Sequence, residues 1–168
     1  TKKFKIAFVP QIGGFFSDLT TEDNLNAVGE ILIVDLKARK IKIEELISKF
    51  ELDAVRKVEA KFLSGGMKRR LVIAMSLLGD PQILLMDEPL AALDPQTIQM
   101  LQTIIIKLQS EYNLTILITD HQARDLLVVC DRALILSNSK IVAEGTPNEL
   151  IQNENATKYY FGDNFKFK

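Results

Sequence analysis

The sequence predicts an α/β fold on a mainly parallel sheet, with a helical subdomain inserted after the first strand. Two observations carry this. Short apolar runs at Lys5–Gln11, Ile83–Met86 and Leu114–Thr119 read as buried strands. Amphipathic stretches separate them, and strands that alternate with helices form parallel sheets covered on both faces. The 168 residues are 47% hydrophobic and 26% charged, enough for one globular core.

The elements follow in order. KIAFVPQ, Lys5 to Gln11, is a strand closed by Pro10, and Gly13 and Gly14 open a loop carrying Phe15 and Phe16. Thr20 with Asp23 three residues on starts a helix reaching Val34. Ile43, Leu46, Ile47 and Phe50 share one helical face. A polar link, Arg56 to Lys61, leads to Leu63-Ser64-Gly65-Gly66 and a helix with Leu71, Ala74, Met75 and Leu78 on one side, stopped by Gly79 and Pro81. Residues 15–78 thus form the helical subdomain, and 1–14 with 79–168 form the remaining core and C-terminal segment.

The second half changes period. The strand Ile83–Met86 ends in Asp87-Glu88-Pro89, and Ile98, Leu101, Ile105 and Leu108 mark a helix. Leu114–Thr119 is a buried strand before Asp120-His121, and a short helix contains Leu126 and Leu127. Strands at 133–137 and 140–144 flank Asn138-Ser139 as a hairpin. Thr146-Pro147-Asn148-Glu149 has a cap, a proline at the first helical position and an acid at the third. Tyr159 to Lys168 is aromatic and charged without a period.

Composition excludes several classes. A net charge of −1 leaves no electrostatic footprint for nucleic acid. A single cysteine, Cys130, excludes an intramolecular disulfide framework and a cysteine-built zinc site, and reads as a small packed hydrophobe. No apolar run approaches the ~20 residues that span a bilayer, and no signal-peptide pattern is present. A start at Thr1, directly in a strand, suggests a processed product or a fragment.

ILLMDEP carries the strongest local chemistry. A strand ending in adjacent acids puts both at the carboxyl edge of the sheet, where open α/β folds bind ligands. One acid can hold Mg²⁺ while the other polarises water; a solvated turn after a strand reads equally well. Ser64-Gly65-Gly66 at a helix start makes bare N–H groups for a phosphate, or a flexible cap with Ser64 as N-cap. His121 and Gln11 each end a strand and are structurally bland alone. Asp94-Pro95 reads as a helix entry, and Lys68-Arg69-Arg70 as a solvated helix face.

The order of these motifs decides between the readings. Strand-Gln11, helical insert, LSGG, ILLMDEP, AALD and ITDH together resemble the ABC-type ATPase family over essentially the whole chain. The resemblance implies a truncated RecA-like core with an inserted helical signature subdomain and a C-terminal hairpin and helix. It makes Gln11 the Q-loop glutamine touching Mg²⁺ and water, and Asp87 the Walker B metal ligand. Glu88 becomes the catalytic base and His121 the γ-phosphate-sensing switch. Ser64, Gly65 and Gly66 fall in the signature motif, which contacts nucleotide on the opposite subunit, and Asp94 in the D-loop.

VPQIGGFFSDLTTEDNL, LSGGMKRR, ITDHQARDLLVVCDRALIL, GTPNELIQNE and YYFGDNF are most similar to the ATPase subunits of lipopolysaccharide-export transporters. Branched-chain amino-acid importer ATPases share much of the layout. Met67 departs from the Gln or Glu usual in the family at that position. The resemblance implies ATP and Mg²⁺ as cofactors, membrane-spanning subunits and a second ATPase subunit as partners, no nucleic acid and no membrane insertion. It places the protein on the cytoplasmic face of the inner membrane.

One family element is missing. None of the eight glycines is followed by lysine, so the Walker A loop G-x-x-x-x-G-K-[ST] is not among these residues. The expectation is a C-terminal two-thirds of the ATPase, inactive alone, whose intact form hydrolyses ATP to drive lipopolysaccharide export. A non-catalytic interaction fragment is the competing reading. A chromosome or DNA-repair ATPase of the superfamily lacks support, because neither heptads nor cysteine pairs are present.

Overall fold

Pro10 has no N–H to give a ladder, and the first strand stops just before it. In the computed structural model, which describes residues 4–162, this strand is β1, Ile6–Val9. The Thr1 start and the tail beyond Gly162 lie outside the described residues. The chain divides into two units, Thr1–Asp120 and His121–Lys168.

In the first unit β1 pairs with β2, Ile83–Asp87, and β2 with β3, Thr115–Thr119, all parallel. Val9 registers with Met86 and Met86 with Ile118, so Val9, Leu84 and Met86 share one buried face. Ile6, Phe8 and Leu117 stand on the other face, each more than half exposed. The expected burial of β1 and β3 on both sides is therefore corrected: among the described residues the sheet is one-sided. Alternation explains it, because residues two apart share a face.

The helices follow the sequence signals closely. Thr20 caps α1, Thr21–Leu32, by accepting from the Asp23 amide, and Asp35 caps α2, Leu36–Lys49, through the Ala38 amide. Leu25, Ile43, Leu46, Ile47 and Phe50 are fully or almost fully buried. Single 3-10 turns at Asp53–Val55 and Ala60–Phe62 lead to α3, Gly65–Ser76, which packs on α1 and β1. No strand lies between residues 10 and 82 among the described residues.

Two polar features brace this region. Arg56 bonds the carboxylates of Glu22 and Glu44, and Lys57 also pairs with Glu22. Arg56 first, then Lys57, hold the Glu22 carboxyl down to about 2. Arg70, expected on a solvated face, is instead buried and donates to the Phe50 carbonyl at 2.9 Å and the Glu51 carbonyl at 3.2 Å. Those carbonyls end α2 and need partners, which an exposed lysine-like face could not supply. Further on, α4, Pro95–Tyr112, buries Ile98, Leu101, Ile105 and Leu108 and ends at left-handed Asn113.

The second unit begins with α5, Ala123–Leu127. β4, Ala133–Ser137, and β5, Lys140–Gly145, form the expected antiparallel hairpin. Asn138 and Ser139 turn it with φ of 48° and 60°, the double positive φ that matches strand twist. Thr146 and Glu149 complete a reciprocal cap on α6, Pro147–Ile151. α7, Glu154–Ala156, leads into one π turn, Thr157–Phe161. Leu127, Ile135, Ala143, Leu150 and Ala156 form the core of this unit, with Cys130 packed against it and its thiol pushed up by burial. No described helix is long and apolar enough to cross a membrane.

Candidate functional site

Because β1 and β2 are parallel and in register, the residues that leave their carboxyl ends emerge side by side. Gln11 follows β1 after Pro10, and Glu88 follows β2 after Asp87. The Gln11 side-chain amide Nε2 donates to Glu88 Oε2 at 2.6 Å. This brings two predicted site residues from distant parts of the chain into direct contact.

The adjacent acids diverge. Glu88 has φ of 42°, in the left-handed region, which costs a non-glycine residue about 1–2 kcal/mol. Its N–H donates to the Thr119 carbonyl at 2.8 Å, and its carbonyl accepts from Ala91 N–H at 3.2 Å. Asp87 Oδ1 instead accepts from the Thr119 hydroxyl at 2.6 Å. Asp120 Oδ2 receives the Leu90 N–H at 3.3 Å. Each carboxylate therefore has its own set of bonds, and the backbone twist at Glu88 separates the two.

The loop after Gln11 requires glycine. Gly14 has φ of 82°, and a Cβ there would lie 2.9 Å from Val72 Cγ1 on α3. Phe15 is half-buried and Phe16 exposed. Buried Asn24 holds the segment that follows: its Nδ2 donates to the carbonyls of Phe16, Leu19 and Thr20, and its Oδ1 accepts from Phe16 N–H at 2.7 Å.

A second group of predicted residues assembles where α3 and α4 begin. Ser64 is exposed, and its hydroxyl accepts from Met67 N–H at 3.2 Å. Gly66 is buried against α4, where an added Cβ would lie 2.5 Å from Thr97 Cγ2; one on Gly65 would reach Leu93 Cδ2 at 3.6 Å. Asp94 caps α4, accepting from the Thr97 hydroxyl at 2.5 Å and the Thr97 N–H at 3.0 Å. These bonds hold its carboxyl below the usual range. His121 opens the second unit, where its carbonyl accepts from the Tyr160 hydroxyl at 2.7 Å.

Arg69 is the functional candidate that sequence reasoning missed. It is half-buried rather than solvated, and donates to the carbonyls of Pro10 at 2.7 Å, Gln11 at 2.8 Å and Glu88 at 3.4 Å. Burial lowers its pKa, against the pull of Asp120 and Asp87. The available signal was spacing: Gly66, Arg69 and Ile73 fall at i, i+3 and i+7, one helical stripe.

The donor chemistry fits Mg²⁺ carried by a nucleotide. One carboxylate, Asp87, and one neutral oxygen, the Gln11 amide, lie at the same sheet edge. Mg²⁺ commonly takes one or two carboxylates and completes its shell with phosphate and water. Among the described residues no cluster of three or more His, Cys, Asp or Glu could hold a metal by itself.

Comparisons with known proteins place the chain in a family and a fold. Residues 2–91 match the ABC transporter family. The chain is 40% identical over 163 residues to the lipopolysaccharide export system ATP-binding protein LptB of Haemophilus influenzae, covering 96% of this chain and 67% of that one. It is 37% identical over 160 residues to an uncharacterized ABC transporter ATP-binding protein of Rhizobium meliloti, covering 95% and 59%. The chain thus spans about three-fifths to two-thirds of the length of these relatives. Among solved structures, cbiO1 from Clostridium perfringens, part of the ABC transporter complex cbiONQ, superposes with a TM-score of 0.82 at 21% identity, over 92% of this chain and 62% of that one. This last likeness concerns the fold.

Proposed function

The chain belongs to the ABC transporter family of ATP-binding proteins, and from that premise we propose that it carries the water-activating and signature halves of a transport ATPase. The observation that carries this reading is the 2.6 Å bond between Gln11 and Glu88 at the sheet edge. Glu88 is the base that polarises the attacking water, and Gln11 orients its carboxylate. Asp87, fixed by Thr119, is the carboxylate for Mg²⁺, with the Gln11 oxygen beside it. Bound Mg-ATP supplies the phosphoryl group and the charge that the ion neutralises.

The helical segment 15–78 acts as the signature subdomain. Its Ser64, Gly65 and Gly66, together with Asp94, form the surface that meets nucleotide on a second ATPase subunit. His121 keeps the switch role that the family pattern gives it. Exposed Phe16, on the loop held by Asn24, is an anchor for membrane-spanning subunits. Turnover requires these residues joined to a G-x-x-x-x-G-K-[ST] loop, since positioning of the phosphates dominates phosphoryl transfer. The 168 residues alone turn over no ATP. The working place of the intact ATPase is the cytoplasmic face of the inner membrane.

The cargo we propose is lipopolysaccharide, supported by the 40% identity to LptB. The test is reconstitution of the loop-bearing protein with membrane subunits of a lipopolysaccharide-export system or of a branched-chain amino-acid importer. Stimulation of ATP turnover by the first alone is expected. Stimulation only by the importer subunits would overturn the cargo, and turnover by the isolated 168 residues, lost in Glu88→Gln, would overturn their inactivity.

A further inference from the structure

We propose that Arg69 is a positioning residue that ties the geometry of the Gln11–Glu88 pair to the place of the signature helix. Three bonds converge on one guanidinium. Two go to the carbonyls of Pro10 and Gln11, just past β1, and the third to the Glu88 carbonyl, just past β2. None of these carbonyls lies within the paired strands, and besides Arg69 the Glu88 carbonyl accepts from Ala91 N–H at 3.2 Å. A planar fork with five donors spread over three nitrogens can fasten separated acceptors in a fixed geometry, which the single nitrogen of a lysine does less well.

The consequence is mechanical. Arg69 sits one turn into α3, which begins at Ser64-Gly65-Gly66. The same helix presses Val72 towards Gly14 and Gly66 against Thr97. A displacement of the α3 N-terminus therefore pulls on the backbone that bears both Gln11 and Glu88. Left-handed Glu88 needs such restraint, because its φ of 42° is disfavoured unless surrounding bonds impose it. Arg69 does not touch the reacting atoms in this account; it sets the distance between the two groups that do.

The inference rests on the proposed ATPase reading only for its consequence in turnover, so its test has two arms. The first needs no nucleotide. By nuclear magnetic resonance, Glu88→Gln shifts the Gln11 side-chain NH₂ signals of the chain, because a charged acceptor at 2.6 Å is lost. In an Arg69→Met background the same change should move them by less than about a third as much, and Ala91 N–H, bonded to the Glu88 carbonyl, should exchange about tenfold faster. Arg69→Lys, which reaches fewer carbonyls, should fall between, and stands in if Arg69→Met does not fold.

The second arm uses the loop-bearing protein: Arg69→Met should lower kcat at least about tenfold while KM for ATP changes less than about threefold. Equal Gln11 shifts with and without Arg69, with Ala91 exchange unchanged, would overturn the proposal. Absence of turnover in the unaltered loop-bearing protein would instead count against the ATPase reading and leave the first arm to decide.

Discussion

Gly66→Ala offers a clean quantitative test of how the signature helix is seated. The added methyl would lie 2.5 Å from Thr97 Cγ2 and 3.1 Å from its Oγ1, where carbon atoms in contact stand about 3.5–4.0 Å apart. Thr97 cannot rotate away freely, because its hydroxyl bonds Asp94 at 2.5 Å. Losing that bond costs about 0.5–1.5 kcal/mol, and moving α3 off α4 instead costs about 1–3 kcal/mol. Helix propensity returns up to about 1 kcal/mol. The net expectation is a loss of up to about 2 kcal/mol, read as a lowered urea midpoint at unchanged slope. Thr97→Ser removes Cγ2 and keeps the capping hydroxyl, so in that background the loss should shrink to about 0.5 kcal/mol or less. An equal loss in both backgrounds would refute the packing argument.

Two further outcomes follow from the same structure. Glu22, with a folded-state pKa of about 2 against an ordinary 4.5, stabilises the fold above its unfolded value, and that contribution disappears as pH falls from about 4.5 to about 2. After allowance for screening, Glu22→Gln should cost about 1–2 kcal/mol at neutral pH, with the gap to the unaltered chain narrowing below about pH 4.5 and closing only near pH 2 in urea titrations. Leu84→Ala, at a fully buried position on β2, should cost about 2–5 kcal/mol, whereas Leu117→Ala on the open face of β3 should cost about 1 kcal/mol or less. Comparable losses at both sites, measured by thermal unfolding, would show that the second face is covered in solution.

The fold was legible where the chemistry is local. Thr20, Asp94 and Thr146 each cap the helix that their spacing announced, and Asn138-Ser139 adopts the turn that its flanking strands required. Asp87 and Glu88 were legible for the same reason, as acids at the end of an apolar run. What the sequence concealed depends on tertiary placement. An apolar run such as Thr115–Thr119 looks the same whether one face or both are covered, so the exposure of Leu117 could not be read from it. Arg69 and Arg70 sit beside Lys68 and share its charge, yet only the fold decides which cations meet stranded carbonyls. Asn24 escaped attention because its partners, Phe16 to Thr20, precede the helix it belongs to and have no side-chain pattern of their own.

The central claim is that Glu88, held by Gln11, polarises the water that attacks ATP. Single-turnover cleavage of Mg-ATP, with binding measured in parallel, tests it most directly on a chain joining these residues to a phosphate-cradling loop. Glu88→Gln should bind Mg-ATP within about threefold of the unaltered protein and cleave it at least about a hundredfold more slowly. Cleavage at an undiminished rate with Glu88→Gln would contradict the account and move the catalytic base elsewhere.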